Sequence, residues 1–397
     1  MIRVNNIHLS LGYDNKSVRK AVAQQLRIEE KSIKSCKIFR RSVDARKKDN
    51  IYFLTTVDAE LNINEDKVCK KCGNAQIARK YEYNQMKFGN APSPIVVGAG
   101  PAGLFAALIL ARSGANPILI ERGRDVDRRT ADVNRFWTSG QLDTTSNVQF
   151  GEGGAGTFSD GKLNSGTKDI RQRKVLEEFV SHGAPDEILY NAKPHIGTDM
   201  LKGTIKNIRN EIIELGGRVM FETKLVSMAF SDNKLKSITV ETAIGNEIIE
   251  TNNVILAIGH SARDTFEMLY GLKLPIEAKP FSVGARIEHL RQKVDKAQYG
   301  RFAGNKKLGS ANYKLSTHLD NGRGVYTFCM CPGGKVVNAS SEENRLCTNG
   351  MSEFARNADN SNSALLVGIN PDDYESDHPL AGMYLQRKLE SKAFVAG

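Results

Sequence analysis

Three glycines, Gly98, Gly100 and Gly103, stand between an apolar run, Ile95 to Val97, and a helix-forming stretch, and an acid, Glu121, closes the next apolar run. Residues of these types at this spacing suit a dinucleotide. Gly98 makes the tight turn, and Gly100, with Pro101 and Ala102 beside it, lets backbone approach a pyrophosphate with no side chain in the way. Gly103 lets the helix pack closely on the sheet. The pyrophosphate then rests on the positive helix N-terminus. Glu121, followed by Arg122, falls where a carboxylate reaches both hydroxyls of an adenosine ribose, and its charge repels the 2′-phosphate of NADP. The ligand is FAD or NAD.

A second glycine triplet, Gly151, Gly153 and Gly156, has the same spacing but no such context. Neither an apolar strand precedes it nor a helix follows. The run Gly153-Gly154-Ala155-Gly156 is read instead as a loop whose N–H groups nest negative charge on a flavin pyrimidine, the alternative being a flexible surface loop. Further along, Thr251 to Gly259 (TNNVILAIG) is a buried apolar strand ending in Ala257-Ile258-Gly259, where a missing side chain lets the chain pass beneath a nucleotide. Combined with the first motif, it resembles the two-part fingerprint of FAD-binding oxidoreductases and favours FAD over NAD.

Candidate acids, bases or charge stabilisers beyond the motifs are Lys162, His195, Arg286 and His289, each also compatible with an ordinary core or surface role. Cys331, in CPGG, either approaches the flavin or starts a tight turn, and the turn is the simpler reading. Cys69 and Cys72 have zinc-ligand spacing without the third and fourth ligands that a structural site needs, so no metal is expected. The six cysteines are unevenly spaced along the chain, which points to reduced thiols rather than a disulfide framework.

The elements that must position these groups follow from periodicity. Residues 1–90 alternate as strand (Ile2 to Leu9), helix (Ser17 to Arg27), strands (Ile33 to Val43, Ile51 to Leu61), helix (Asn64 to Cys72) and a last strand near Ile77 to Tyr83. This order suggests a ferredoxin-like α+β domain. Asn90-Ala91-Pro92-Ser93-Pro94 marks a linker. Residues 94–271 read as a Rossmann-like α/β domain, with a helix from Val126 to Trp137 and a Gly-rich loop over 139–166 too long to be idle. In the helix from Thr198 to Leu215, residues Leu201, Ile205, Ile208, Ile212 and Leu215 form one apolar stripe that Gly216-Gly217 terminates. A strand meander leads on to Val254. Residues 272–397 carry short strands and an amphipathic helix around Met383 to Phe394, a β-rich cap or substrate domain.

At 397 residues, 40% apolar and 25% charged, the chain reads as globular, with no signal-peptide pattern and no apolar run of membrane-spanning length, so a cytoplasmic location is the default expectation. Its formal charge of +11 is concentrated in residues 1–94, where 19 Lys and Arg face 10 Asp and Glu. The densest stretch, Lys31 to Lys48, is either a solvated face or an attraction for nucleic acid or an acidic partner. The solvated face is favoured because stacking aromatics are sparse there. Oligomeric state is not legible.

Longer strings carry a resemblance: FGEGGAGTFSDGKL (150–163), PHIGTD (194–199), IGHSARDT (258–265), FSVGARIEH (281–289), CMCPGG (329–334) and TNGMS (348–352). The chain resembles, from its N-terminal domain to its end, the bacterial FAD-dependent dehydrogenases related to p-hydroxybenzoate hydroxylase and geranylgeranyl reductase. That resemblance implies FAD, a dehydrogenase-like hydride transfer with a small molecule, and adenine held by the backbone of Leu225; with no second GxGxxG in a strand-helix context, NAD(P)H is expected only as a transient donor. It also implies a Gly-rich strand-to-helix segment after the point where this sequence stops, so a fragment lacking the last strand of the FAD fold is expected. A second reading makes FAD structural and gives the basic N-terminal domain an RNA or protein partner.

Overall fold

Alternation of apolar and polar residues builds the first sheet of the computed structural model, which describes residues 1–79, 81–89, 92–167 and 169–397. The chain runs β1 (Ile2–Leu9), α1 (Asn15–Leu26), β2 (Ile33–Asp44), β3 (Tyr52–Leu61), α2 (Glu65–Lys71) and β4 (Ala75–Ile77). The strands lie in the order β2-β3-β1-β4, and every adjoining pair is antiparallel. Ile2, Val4, Phe53, Val57 and Ala59 face Val18, Val22 and Leu26 of α1. The last strand is Ala75–Ile77 rather than Ile77 to Tyr83, because it pairs with β1, whose first residue, Ile2, already stands opposite Ile77. Of the expected linker, residues 90 and 91 lie outside the described residues.

The basic stretch serves partly as a joint. Arg41 donates its N–H to the Tyr190 carbonyl at 2.6 Å and accepts from the Ala192 N–H at 2.8 Å, while its guanidinium reaches Asn191 Oδ1 at 2.8 Å and Tyr13 Oη at 3.0 Å.

The central unit comprises β5 (Ile95–Val97), α3 (Pro101–Arg112), β6 (Ile118–Ile120), α4 (Val126–Ser139), α5 (Gln172–Ser181), α6 (Thr198–Glu214), β7 (Arg218–Met220), a meander β8 (Lys224–Ser231), β9 (Lys234–Thr242), β10 (Gly245–Glu250), then β11 (Val254–Leu256) and α7 (Arg263–Gly271). A parallel sheet, β11-β5-β6-β7, lies between two layers. The two-residue period of a strand decides which side chain meets which layer. Val96 and Leu119 face Leu104 and Leu108 of α3 and Ile205, Ile208 and Ile212 of α6. Ile95, Val97, Ile118 and Ile120 face Leu225, Met228, Ile238 and Val240 of the meander and Leu269 of α7. Leu215 departs from the expected stripe, being 40% exposed, since the chain leaves the helix there and turns at Gly216 with φ +89°.

The strand expected to be buried before Gly259 is instead an edge. Among the described residues β11 pairs only with β5, and Ile255 and Leu256 are each 40% exposed.

The remaining residues form β12 (Phe281–Leu290), α8 (Arg291–Tyr299), β13 (Ser316–His318), β14 (Gly324–Cys331), β15 (Lys335–Asn338), β16 (Thr348–Met351), β17 (Asn360–Ile369) and α9 (Ala381–Ala396). An antiparallel sheet, β12-β17-β14-β13, is joined by the β15-β16 hairpin. Arg263 at the start of α7 donates to Glu390 of α9 and to Glu342.

Close packing of α3 on β5 gives a stability prediction. A Cβ on Gly103 would lie 1.8 Å from the Gly98 carbonyl oxygen. Gly103→Ala is therefore expected to lower unfolding free energy by about 1–3 kcal/mol in urea denaturation, and an unchanged midpoint would contradict the packing described.

Candidate functional site

The turn between β5 and α3 adopts its shape because side chains are absent. Gly98 has φ +102°, and a Cβ there would sit 2.5 Å from the Ala257 carbonyl oxygen, so the turn and the end of β11 touch through backbone. Gly100 is the residue before α3, extended, with no side chain capping the helix, and Pro101 opens the first turn. The first N–H groups of α3 thus face a cavity of about 580 Å³, within the range of small-molecule sites. A Cβ on Gly100 would meet nothing closer than Gly154 Cα at 4.0 Å.

Five separate segments wall this cavity. Gly98, Gly100, Pro101 and Ala102 form one side, with Glu121 and Arg122 next to them; Thr223, Lys224 and Leu225 come from the start of the meander, Ala257, Ile258 and Gly259 from the end of β11, and Gly154, Ala155 and Gly156 from the Gly-rich loop. Gly259 has φ +70° and open space around a would-be Cβ, so backbone conformation, rather than close approach, calls for glycine there.

Glu121 is buried, and its carboxylate collects three backbone N–H groups: Ala99 on Oε2 at 2.7 Å, and Gly123 and Gly151 on Oε1, both at 2.9 Å. This changes the expectation that it grips both hydroxyls of a ribose. Each carboxylate oxygen accepts about two hydrogen bonds, so Oε1 is filled and Oε2 keeps one position. Arg122 pairs with Asp264 at 2.9 Å, donates to Thr265 Oγ1 at 2.8 Å and stacks over Phe150.

The Gly-rich loop is held by a residue that the sequence reading passed over. Arg129 of α4 is fully buried and donates to five backbone carbonyls: Asn147 at 2.8 Å, Val148 at 2.9 Å, Gly151 at 3.3 Å, Glu152 at 2.6 Å and Gly154 at 2.9 Å. Burial pulls its pKa down to about 10, against the nearby Glu121 and Glu152 charges that favour the cation. The missed signal was a charge on an apolar helix face, three residues after Val126 and four before Val133, both buried.

The same loop contributes less of an anion nest than its four residues suggested. The Gly153 N–H donates to the Ala99 carbonyl at 2.8 Å and the Gly154 N–H to Gly151 at 3.0 Å. A Cβ on Gly153 would strike Ile205, so this glycine packs on α6 and is not on the cavity wall. Ala155 and Gly156, at the start of a 3-10 turn over Gly154–Phe158, face the cavity.

Lys162, His195, Arg286 and His289 are not on that wall. Lys162 and His195 are bridged through their backbones, and His195 Nε2 lies 2.9 Å from the Phe354 carbonyl. Lys162 Nζ sits near Cys329 and Cys331, where Arg286 also donates to the Cys329 carbonyl. Cys331 ends β14 and leads into a turn, as its sequence context suggested. His289 stands apart, tilted against Tyr313, its Nε2 buried without a hydrogen-bond partner among the described residues.

Sequence comparison matches residues 93–132 to an FAD binding domain, residues 280–397 to a family described as FAD-dependent protein, C-terminal domain-like, and residues 1–60 to a domain of unknown function. An uncharacterized protein of Clostridium beijerinckii is 47% identical over 402 residues, an alignment covering 100% of this chain and 74% of that relative. The chain belongs to a family of FAD-dependent flavoproteins. Among solved structures, this flavoprotein is similar to the glycerol-3-phosphate dehydrogenase of Bacillus halodurans complexed with FAD (12% identity, TM-score 0.33, 73% of this chain and 49% of that one). It is also similar to the anhydrotetracycline hydroxylase of Streptomyces rimosus (13% identity, TM-score 0.31, 75% and 49%). The chain spans about half the length of each of these two proteins. No helix among the described residues is long and apolar enough to cross a membrane.

Replacing Arg129 with Met keeps much of the stem but removes every donor, so about 3–5 kcal/mol of stability should be lost and amide exchange across residues 147–154 should accelerate. Exchange at the parental rate would refute the clamp. Burial, and next the Arg356 guanidinium, hold the His195 imidazole below its ordinary pKa. The unfolded chain then takes up this proton first, so the stability that neutral His195 provides is present above the unfolded pKa of about 6.5 and lost as pH falls through the lower folded value. Between about pH 7 and about pH 5, the melting temperature of His195→Gln should fall less than that of the parent. Equal falls would remove His195 from the acid response.

Proposed function

We propose that this chain is an FAD-dependent oxidoreductase acting on a small molecule, with its Rossmann-like domain over residues 94–271, a β-rich substrate or cap domain over 272–397 and a ferredoxin-like N-terminal domain over 1–90. The observation that carries the reading is the meeting of the Gly98–Ala102 elbow, Glu121, the 223–225 segment and Ala257–Gly259 around one cavity. These residues fit FAD. The uncapped N-terminus of α3, with open space at Gly100, suits a pyrophosphate. The remaining lone pair of Glu121 Oε2 suits one ribose hydroxyl, and the Leu225 backbone suits the adenine.

Bound FAD supplies two-electron chemistry, taking a hydride from, or giving one to, a substrate or a nicotinamide donor. The chain's own part is to orient and to balance charge. Ala155 and Gly156 present backbone to the cavity beside the elbow, and Arg122, locked by Asp264 and Thr265, lines it next to Phe150. NAD(P)H is the proposed transient donor, and the family match over residues 280–397 supports a flavin-dependent role for the cap.

Gly100→Ala tests the assignment without disturbing the fold. At φ −70° the backbone accepts alanine, and the added methyl meets only Gly154 Cα at 4.0 Å. The variant should melt with the parent yet retain FAD at least about tenfold more weakly, a loss of about 1.4 kcal/mol or more. Parent protein should show flavin absorbance after reconstitution, bleached anaerobically by NADPH or NADH. A folded parent that stays colourless in excess FAD would overturn the cofactor reading, and flavin that nicotinamides leave oxidised would overturn the donor.

A further inference from the structure

β14 ends in Cys329-Met330-Cys331, two free thiols with one residue between them. Its pairing with β17 slips between Phe328 and Cys331, and Cys329 takes φ +46°, a conformation that a non-glycine residue adopts only when its surroundings impose it. With this bulge both sulfurs meet one cation: Lys162 Nζ lies 3.4 Å from Cys331 Sγ and 3.8 Å from Cys329 Sγ. Lys162 arrives from the Gly-rich loop and is anchored by Asp160 at 3.0 Å, which also binds Arg356. From β12, Arg286 donates to the Cys329 carbonyl at 3.3 and 3.4 Å. The charged groups facing the thiols are therefore Lys162 and Arg286, with Asp160 behind the lysine. Cys331 is fully buried, whereas Cys329 is partly exposed.

We propose that Cys329 and Cys331 form a thiol–disulfide exchange site for small-molecule disulfides, with Cys329 as attacking thiolate, Cys331 as resolving thiol and Lys162 as the charge partner of both. The site does not depend on the FAD reading. Cys329 Sγ attacks one sulfur of the disulfide R–S–S–R, so the S–S bond breaks, a Cys329–SR bond forms, and the departing thiolate takes a proton from water. The Cys331 sulfur then attacks Cys329 Sγ, releasing the second R–S group, which takes the Cys331 proton. Two electrons pass from the cysteine pair to the substrate, leaving a Cys329–Cys331 disulfide and two R–SH.

The electrostatics agree with these roles. The neighbouring Cys331 thiol, then the Lys162 and Arg286 charges, lower the Cys329 pKa against the effect of burial, while the Cys331 S–H donates to the Cys329 carbonyl at 3.3 Å. The adjoining Cys329 sulfur, and burial, push Cys331 up and keep its proton on until the second step. Burial opposes the Lys162 charge, but Asp160 and the two sulfurs outweigh it and keep the ammonium protonated. With both sulfurs within reach of one ammonium, at 3.4 and 3.8 Å, the pair faces the same side of the bulge, where a disulfide forms with local adjustment.

Full-length reduced protein is incubated with oxidised glutathione, digested with trypsin and weighed. The peptide spanning residues 324–335 should lose two hydrogens, and Cys331→Ser should stop at a glutathione adduct on Cys329. Lys162→Met should slow iodoacetamide alkylation of Cys329 at neutral pH by about tenfold, one pKa unit. Lys162→Arg, which keeps the charge, should retain most of the parental rate, separating a charge effect from misfolding. Alkylation of Cys329 in the parent no faster than that of Cys36, or a Cys331→Ser protein whose only adducts lie elsewhere, would overturn the proposal.

Discussion

The buried Arg129 guanidinium is the constraint on which the rest of the site depends. A fully desolvated charge is costly, and it persists because five carbonyls of the 147–154 segment point their dipoles at it. Asn147, Val148 and Glu152 lie outside strand and helix and, among the described residues, find no backbone N–H for these carbonyls, so the bargain is mutual. Glu121 is the complement, a buried carboxylate that gathers the N–H groups of Ala99, Gly123 and Gly151. Gly151 is bound by both, its N–H by the acid and its carbonyl by the base. The loop is thereby fastened to the end of β6 and to α4 without any regular structure.

From these two charges the layers take their places. α4 carries Arg129, and its first N–H is accepted by Glu152, which also pairs with Arg209 of α6. Gly153 then packs on Ile205 of the same helix, whose other apolar residues bury against α3 and the sheet. The loop, α4, α6 and the sheet thus share one set of contacts, and the cavity wall inherits the stiffness of the core.

The elbow was legible in the sequence because its demands are steric and local. Glycine at Gly98 and Gly103 has no substitute when backbone passes that close, and a short apolar run on each side fixes strand and helix. Helices α1, α2, α4, α6 and α9 and most strands followed from periodicity for the same reason, whereas α5, α7 and α8 were not read. What could not be read was whatever depends on a distant neighbour. β11 looks like a core strand by composition, and only the sheet order makes it an edge with Ile255 and Leu256 exposed. Arg129 looks like a solvated charge because arginines usually are; its carbonyl partners come from a loop 18 to 25 residues away. Lys162 and Arg286 were singled out for their chemistry, yet it took long-range pairing of β14 with β17 and β12 with β17 to gather them beside Cys329.

The glycines around the cavity divide by physical cause, and the division separates structure from ligand. At Gly98, Gly103 and Gly153 a side chain would overlap protein atoms, so the fold itself needs glycine. At Gly259 and Gly154 the positive φ makes the demand, strongly for Gly259, where nothing else stands near. Gly100 meets neither condition. Its φ is −70°, and an added Cβ meets only Gly154 Cα at 4.0 Å, so the folded chain alone gives no reason to exclude alanine. On the proposed FAD reading, a residue that the fold leaves free, at the mouth of an uncapped helix and on the wall of a cavity built from five segments, is where the demand for glycine comes from what binds.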